Sequence, residues 1–295
     1  MAAKDSDKSA RLKDEGNHYY TSGNFLAAEG LYSKASVCLP CLCCVPRVPV
    51  YNPPSPGSHD TNYSLYTNRA MARIKLALYE SASSDCHACL KLSGPNMKAY
   101  FILSQCLLAL HDFEGALENA LLAHHLGSET SDKSLASLTS QVLRCKKDRW
   151  DELEKKRARE GQELENQLIS LMEHERSEIV ALCSSDIERD EVIEECDRKI
   201  DILQATFDAA RIASDKKREV PDWAIDDISF GIMVDPVITK TGKSYERASI
   251  LEALRRRPID PLTREPLYPA ELRPNLGLKQ ACEEFLEHNG WAVDW

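Results

Sequence analysis

The chain has 295 residues, enough for about two domains at the usual length per domain, and its 43% hydrophobic and 28% charged composition is that of a folded, soluble chain. A formal charge of −10, from 37 basic and 47 acidic side chains, excludes the general basic field that a nucleic-acid binder presents to phosphates. Eleven cysteines would suit a disulfide scaffold in a short secreted chain, but Met1 to Tyr20 is charged throughout and has no signal-peptide core, so reduced thiols and an intracellular compartment are expected; no run reaches the roughly 20 apolar residues that span a bilayer.

From the N-terminus the first signal is a repeat. Counted from Met97, the residues Tyr100, Leu103, Ser104, Leu107, Ala116, Ala120 and Ala123 recur as Tyr66, Arg69, Ala70, Arg73, Ala82, Cys86 and Cys89, 34 residues earlier. Counted from Ser9, Leu12, Glu15, Gly16, Tyr19, Ala28, Tyr32 and Ala35 fill the same places. Small residues at fixed places between bulky ones let two helices cross closely and stack on the next pair. The pattern resembles the tetratricopeptide (TPR) repeat and predicts a three-repeat domain over residues 9–127, with Arg73 its weakest match. Cys86 and Cys89, although spaced as CxxC, fall on core-facing places and read as core rather than as redox or metal ligands.

The first interval exceeds the period by 20 residues, and the surplus falls at about residues 38–58. Six of the chain's fourteen prolines lie in that stretch, so it reads as a loop; Cys38, Cys41, Cys43 and Cys44 have no histidine pair or second CxxC at zinc spacing. Removing the surplus restores the register, so the segment reads as an optional insert of the kind that a retained intron would add.

Stacked repeats form a concave groove, and Lys13, Asn17, Asn68, Lys75 and Lys98 lie on the helices that would line it. Periodicity alone favours reading them as ordinary solvated helix residues. The TPR resemblance implies more: some TPR domains grip the terminal aspartate of a chaperone's Glu-Glu-Val-Asp tail with two lysines and two asparagines. Lys13, Asn17, Asn68 and Lys98 match that set in type and, without the insert, in spacing, while Phe101 would wall the preceding valine. Where those relatives carry an Asp and a Phe after the third repeat, this chain reads Ser-Glu-Thr-Ser-Asp-Lys-Ser from Ser128 to Ser134, which departs from that pattern.

From Asp148 to Glu219 charge is dense and proline absent. Leu164, Leu168 and Leu171 form one apolar stripe and Ile193, Cys196, Ile200, Leu203 and Phe207 another, interrupted at Cys183 to Asp186. Residues 128–219 therefore read as a helical linker and antiparallel hairpin or coiled coil, with Asp186 as N-cap and homodimerisation as its use.

Prolines return at Pro221, where a third domain, residues 220–295, is expected. A short hairpin around Val237 to Tyr245, a helix from Ala248 to Arg256, a proline loop and a helix from Asn275 to His288 outline a small α+β unit. Ile228, Phe230, Met233, Asp235-Pro236, Gly242, Tyr245, Asp260-Pro261, Thr263-Arg264, Pro266-Leu267 and Pro274-Asn275-Leu276 resemble the U-box of ubiquitin ligases. The related RING fold holds two zinc ions with eight Cys/His ligands, whereas residues 220–295 contain only Cys282 and His288, so neither metal nor cofactor is expected. The resemblance assigns the zinc's part to a polar network of Asp260, Thr263, Arg264 and Asn275, in which Arg264→Ala should unfold the module. It also implies a groove for a ubiquitin-conjugating enzyme at Ile228, Phe230, Leu262 and Pro266, with Ile228 as a plain core residue the competing reading. The ligase would orient the charged thioester without a catalytic nucleophile of its own.

The fold class is thus mainly α: TPR repeats, a helical hairpin, and a zinc-free RING-like U-box. Modules in that order resemble the family of chaperone-associated U-box ligases. The resemblance implies docking on tails of heat-shock chaperones of the 70 and 90 kDa classes and ubiquitination of their misfolded clients for proteasomal degradation. It places the chain in the cytoplasm, with the nucleus as a second compartment, and includes neither a nucleic acid nor a membrane. A non-catalytic adaptor with a degenerate U-box, and a ligase whose repeats bind something else, stay open on sequence.

Overall fold

The computed structural model describes residues 2–37, 60–214 and 219–295, and the proline- and cysteine-rich insert lies outside them. Among the described residues no helix is long and apolar enough to cross a membrane.

Six helices pair in succession: α1 (Ala2–Thr21) with α2 (Phe25–Val37), α3 (Asp60–Lys75) with α4 (Tyr79–Ser93), and α5 (Met97–Ala109) with α6 (Phe113–Glu129). These are the TPR hairpins. The repeat's small residues make the packing: Ala28, Ala35, Ala70, Ala82, Cys86, Cys89, Ala116 and Ala123 are wholly buried. Gly16 shows why one such place must be small, since a Cβ there would stand 2.6 Å from the Tyr32 ring. The last two of these helices carry side-chain caps, Asn96 accepting from the Ala99 N–H at 3.0 Å and Asp112 from that of Gly115 at 3.0 Å.

The departure at Arg73 has a physical reason. Arg69 and Arg73 both reach Asp85 of α4, at 2.6 and 2.9 Å, and Arg73 also reaches Glu29 of α2 at 2.8 Å. Asp85 is 4% exposed, so the first two repeats are joined by a nearly buried ion-pair network where an apolar contact was expected.

Helix α7 (Leu135–Leu182) runs 48 residues without a break. Its first turns close the repeat stack, burying Leu135, Leu138, Val142 and Cys145, and its remainder pairs with α8 (Asp186–Ser214). Arg211 of α8 meets Glu165 of α7 at 2.6 Å while Arg176 of α7 meets Asp197 of α8, which fixes the pair as antiparallel. Asp186 is the first helical residue and not the cap; the Ser185 hydroxyl accepts from the Glu188 N–H at 3.3 Å. The apolar stripe is also displaced from its expected place. Leu168 is half-buried, but Leu164 and Leu171 are exposed, at 50% and 64%.

The C-terminal domain carries strands β1 (Pro236–Ile238), β2 (Ser244–Glu246) and β3 (Arg273–Pro274) in the order β2-β1-β3, all pairs antiparallel. Helices α9 (Arg247–Arg256) and α10 (Leu276–His288) pack on them. The two-residue β3 carried no sequence signal because it is too short for periodicity.

This domain sits against the repeats. Ala248 and Leu251 of α9 share a cluster with Ala123, Leu135 and Leu138, and Val234 joins Val142 and Cys145. A buried polar thread crosses the junction: His124 bonds Thr139 at 3.2 Å, and Thr139 donates to Glu246 at 3.4 Å. At the far end a Cβ on Gly290 would stand 2.3 Å from that of Trp150, so only glycine allows α7 and the chain's last turn to approach so closely.

Candidate functional site

Two sites emerge, one on each side of this junction. The first is a groove of about 220 Å³ on the repeats, lined by Asn17, Tyr20, Thr21, Tyr32, Asn68, Met71 and Lys98. Helices α1, α3 and α5 each contribute one member of a hydrogen-bonded chain. Lys98 Nζ donates to Asn68 Oδ1 at 2.8 Å, Asn68 Nδ2 donates to Asn17 Oδ1 at 3.0 Å, and the Tyr32 hydroxyl donates to the same Asn17 oxygen at 2.8 Å. Burial pushes the Tyr32 hydroxyl up to about 12, so it stays a donor at any physiological pH. Lys13 Nζ donates to Ser64 Oγ at 2.8 Å.

Burial, and then the neighbouring charge of Lys13, push the Lys98 ammonium below the ordinary lysine value. Two ammonium groups therefore lie near one another, and Asn17, its oxygen already engaged twice, has its Nδ2 hydrogens left to offer. A carboxylate placed there would meet charge-assisted donors from both lysines.

Of the residues expected to line this groove, the structure brings together Asn17, Asn68 and Lys98, while Lys13 lies beside the lining, bonded to Ser64 and close enough to Lys98 for its charge to be felt there. Lys75 ends α3 two turns beyond Asn68, exposed and outside the groove lining. Phe101 packs half-buried with Leu135 and Leu138 of α7, in the adjoining cluster rather than in the groove itself. Cys86 and Cys89 are wholly buried, and burial raises both thiols, the environment of core cysteines.

The second site is a groove of about 550 Å³ on the C-terminal domain, where Ile228 and Ser229 face Ala248, Ala253, Ile259 and Pro261. Ile228 is half-buried and rests on the cluster of Val237, Tyr245 and Leu267, so it is at once a core contact and a groove wall. Phe230 and Leu262 are exposed, at 74% and 65%, outside the groove lining. Pro261, and not the expected Pro266, forms the proline wall. Pro266 is held elsewhere, bridged to Ile259 as a strand and accepting from Lys240 Nζ at 3.0 Å.

The expected polar network resolves into two separate fasteners. Asp260, fully buried, accepts at one oxygen from the Leu262 N–H at 2.8 Å and the Tyr245 hydroxyl at 3.5 Å, and at the other from Thr241 at 3.2 Å. Thr263 joins through its backbone, its N–H donating to Asp260 at 3.4 Å. Asn275 caps α10 by accepting from the Leu278 N–H at 3.1 Å and donates to Ser244 at 3.0 Å, tying helix to hairpin. Arg264 is not part of either fastener. Its side chain is exposed on a left-handed backbone, φ 61°, and only its N–H bonds inward, to the Asp260 carbonyl at 2.9 Å. An exposed guanidinium can keep its water, so the fold does not need it.

Sequence reasoning missed Asp226 and Glu246, which are 0% and 3% exposed. Glu246 accepts from the Val234 and Asp235 N–H groups at 2.8 and 2.9 Å, and burial raises its carboxyl above the ordinary value despite those two bonds. Isolated acidic residues beside a strand carry no periodic signal, and only the fold shows which are enclosed.

Repeat hairpins followed by a long helical pair and a zinc-free sheet-and-helix module define a TPR protein with a U-box. Residues 220–291 match the U-box domain family. Across 285 residues the chain is 28% identical to the E3 ubiquitin-protein ligase CHIP of Arabidopsis thaliana, covering 96% of this chain and 94% of that one. The match to E3 ubiquitin-protein ligase PUB24 of the same plant, 36% identical over 72 residues, spans 24% of this chain and 16% of that protein. Among solved structures, the TPR2B domain of yeast Sti1 in complex with a pHsp70 peptide covers 47% of this chain and 95% of its own length, at 19% identity and a TM-score of 0.38. With a U-box over residues 220–291 and a similarity to CHIP along nearly its whole length, the chain is an E3 ubiquitin ligase, a transferase.

Proposed function

We propose that the repeat groove binds the acidic C-terminal tails of heat-shock chaperones of the 70 and 90 kDa classes. The Ile228 groove, on this reading, recruits a ubiquitin-conjugating enzyme that modifies the chaperone-held client and so marks it for the proteasome. The single observation that supports the reading best is the hydrogen-bonded convergence of Asn17, Asn68 and Lys98, from three helices, on one groove with no acidic side chain in its lining and Lys13 beside it. A C-terminal aspartate brings two carboxylates, which is the chemistry those donors lack. The catalytic contribution is placement: the groove holds the conjugating enzyme while the repeats hold the acceptor, converting an encounter between two molecules into one within a complex. The cytoplasm, where such chaperones work, is the expected compartment.

The test is calorimetric titration of the full chain with a peptide ending Glu-Glu-Val-Asp. Wild type should bind, and Lys98→Ala should weaken binding at least roughly tenfold, the scale of one buried charge-assisted contact. An amidated peptide of the same sequence should fail to bind. Equal affinity for the acid and the amide would rule out carboxylate recognition.

A further inference from the structure

The first loop of the U-box holds an exposed aromatic in a conformation that the fold itself does not require. Phe230 has φ 57°, in the left-handed region that a bulky L-residue rarely occupies, and its ring is 74% exposed, so no packing offsets the strain. What holds it there is Asp226. The Asp226 carbonyl accepts from the Phe230 N–H at 2.8 Å, and its own N–H donates to the Gly231 carbonyl at 2.9 Å. One carboxylate oxygen accepts from both the N–H and the hydroxyl of Ser229, at 2.8 and 2.7 Å, and the other from the Glu246 N–H at 3.0 Å.

Three donors therefore converge on the two oxygens of one fully buried carboxylate. An amide cannot replace it: Asn has one acceptor oxygen, and its NH₂ would face a donor whichever way it turned. Two of those three donors belong to Ser229, inside the loop, and the third anchors the loop to the end of β2. The buried charge is thus spent chiefly on the shape of residues 226–231, where Ile228 and Ser229 face the groove.

We propose that Asp226 is a positioning residue for conjugating-enzyme recruitment: it locks the loop so that Ile228 lines the groove and Phe230 projects beside it, ready to be covered by the partner. This rests on the reading of the Ile228 groove given above. Asp226 touches no substrate; it acts through Ile228 and Phe230.

The experiment measures autoubiquitination by the full chain against the concentration of whichever ubiquitin-conjugating enzyme, from a panel, supports the wild-type reaction. Asp226→Asn should raise KM for that enzyme roughly tenfold at unchanged kcat, and Ser229→Ala, which removes only one hydroxyl from the loop surface, roughly threefold. Both are read with the folded fraction monitored by circular dichroism at the assay temperature, and the Ser229 variant keeps the test decisive if Asp226→Asn does not fold. Wild-type KM in both variants, or loss of kcat in proportion to the folded fraction with KM unmoved, overturns the positioning role. Ile228→Ala separates the two layers: a raised KM there beside a wild-type KM in the Asp226 and Ser229 variants removes this proposal alone, whereas a wild-type KM in Ile228→Ala removes the groove reading and this proposal with it.

Discussion

Buried charge is the residue-scale theme, and each instance makes its own prediction. Asp85 holds two arginines in near isolation from water, so Asp85→Ala leaves Arg69 without its carboxylate and Arg73 with Glu29 alone, and should cost about 3 kcal/mol in chemical denaturation of the chain. Glu246 behaves oppositely with pH. Its folded-state carboxyl is raised, first by burial, so its ionisation opposes folding: the molecule is favoured while the group is protonated and loses stability as pH rises from the ordinary glutamate value through the raised one. Glu246→Gln keeps an acceptor for the two backbone N–H groups and should flatten that slope in melting curves taken across the acidic and neutral range; an unchanged slope would exclude Glu246 as its source. Arg264 and Asp260 separate cleanly. Asp260→Ala orphans donors in the core of the U-box and should lower the melting temperature by several degrees, whereas Arg264→Ala should leave it in place. The motif showed that both residues belong together, but a motif does not distinguish a buried acceptor from an exposed cation.

At the scale of elements, the repeat was readable because close helix crossing demands small residues at fixed places, and the insert was visible as a break in that period. Helix α7 was less readable, since one helix serves two environments. Its first turns pack on α6 and on the U-box, while its remainder faces only α8 and solvent. The stripe drawn through Leu164, Leu168 and Leu171 runs along the edge of the α8 contact, leaving two of the three leucines uncovered. That uncovered face favours a second copy of the chain as its partner, the homodimer expected of this segment. Light scattering at micromolar concentration should give twice the 33.2 kDa chain mass, and Leu164→Lys with Leu171→Lys should return it to the single mass. A wild-type value of one chain mass would remove the dimer.

At the scale of the molecule, composition argued against broad nucleic-acid binding but concealed a local exception. A chain of net charge −10 nonetheless sets Lys98 in a groove with Lys13 close by, and burial first, then the Lys13 charge, depress the Lys98 ammonium. Binding a carboxylate restores that ammonium towards its ordinary value, so tail affinity should hold below the depressed value of the free chain and fall as pH rises through it towards the ordinary lysine value; the fall should disappear in Lys98→Gln. The chemistry of the repeat groove was legible only through the resemblance, because two lysines and two asparagines match the family's set in type and spacing while periodicity alone does not single them out. The second groove was only half legible: Ile228 stood out, but its wall of α9 side chains and Pro261 is assembled by folding from three segments.

The two grooves lie in different modules, and the central claim is that they act in series, one holding the chaperone and the other the conjugating enzyme. It is tested most directly by reconstituting ubiquitination of a chaperone-bound client by the full chain, with client modification and autoubiquitination read in the same reaction. Excess free tail peptide, or Lys98→Ala, should abolish client modification and leave autoubiquitination intact, while Ile228→Ala should abolish both. Client modification that persists undiminished under saturating tail peptide would contradict the account.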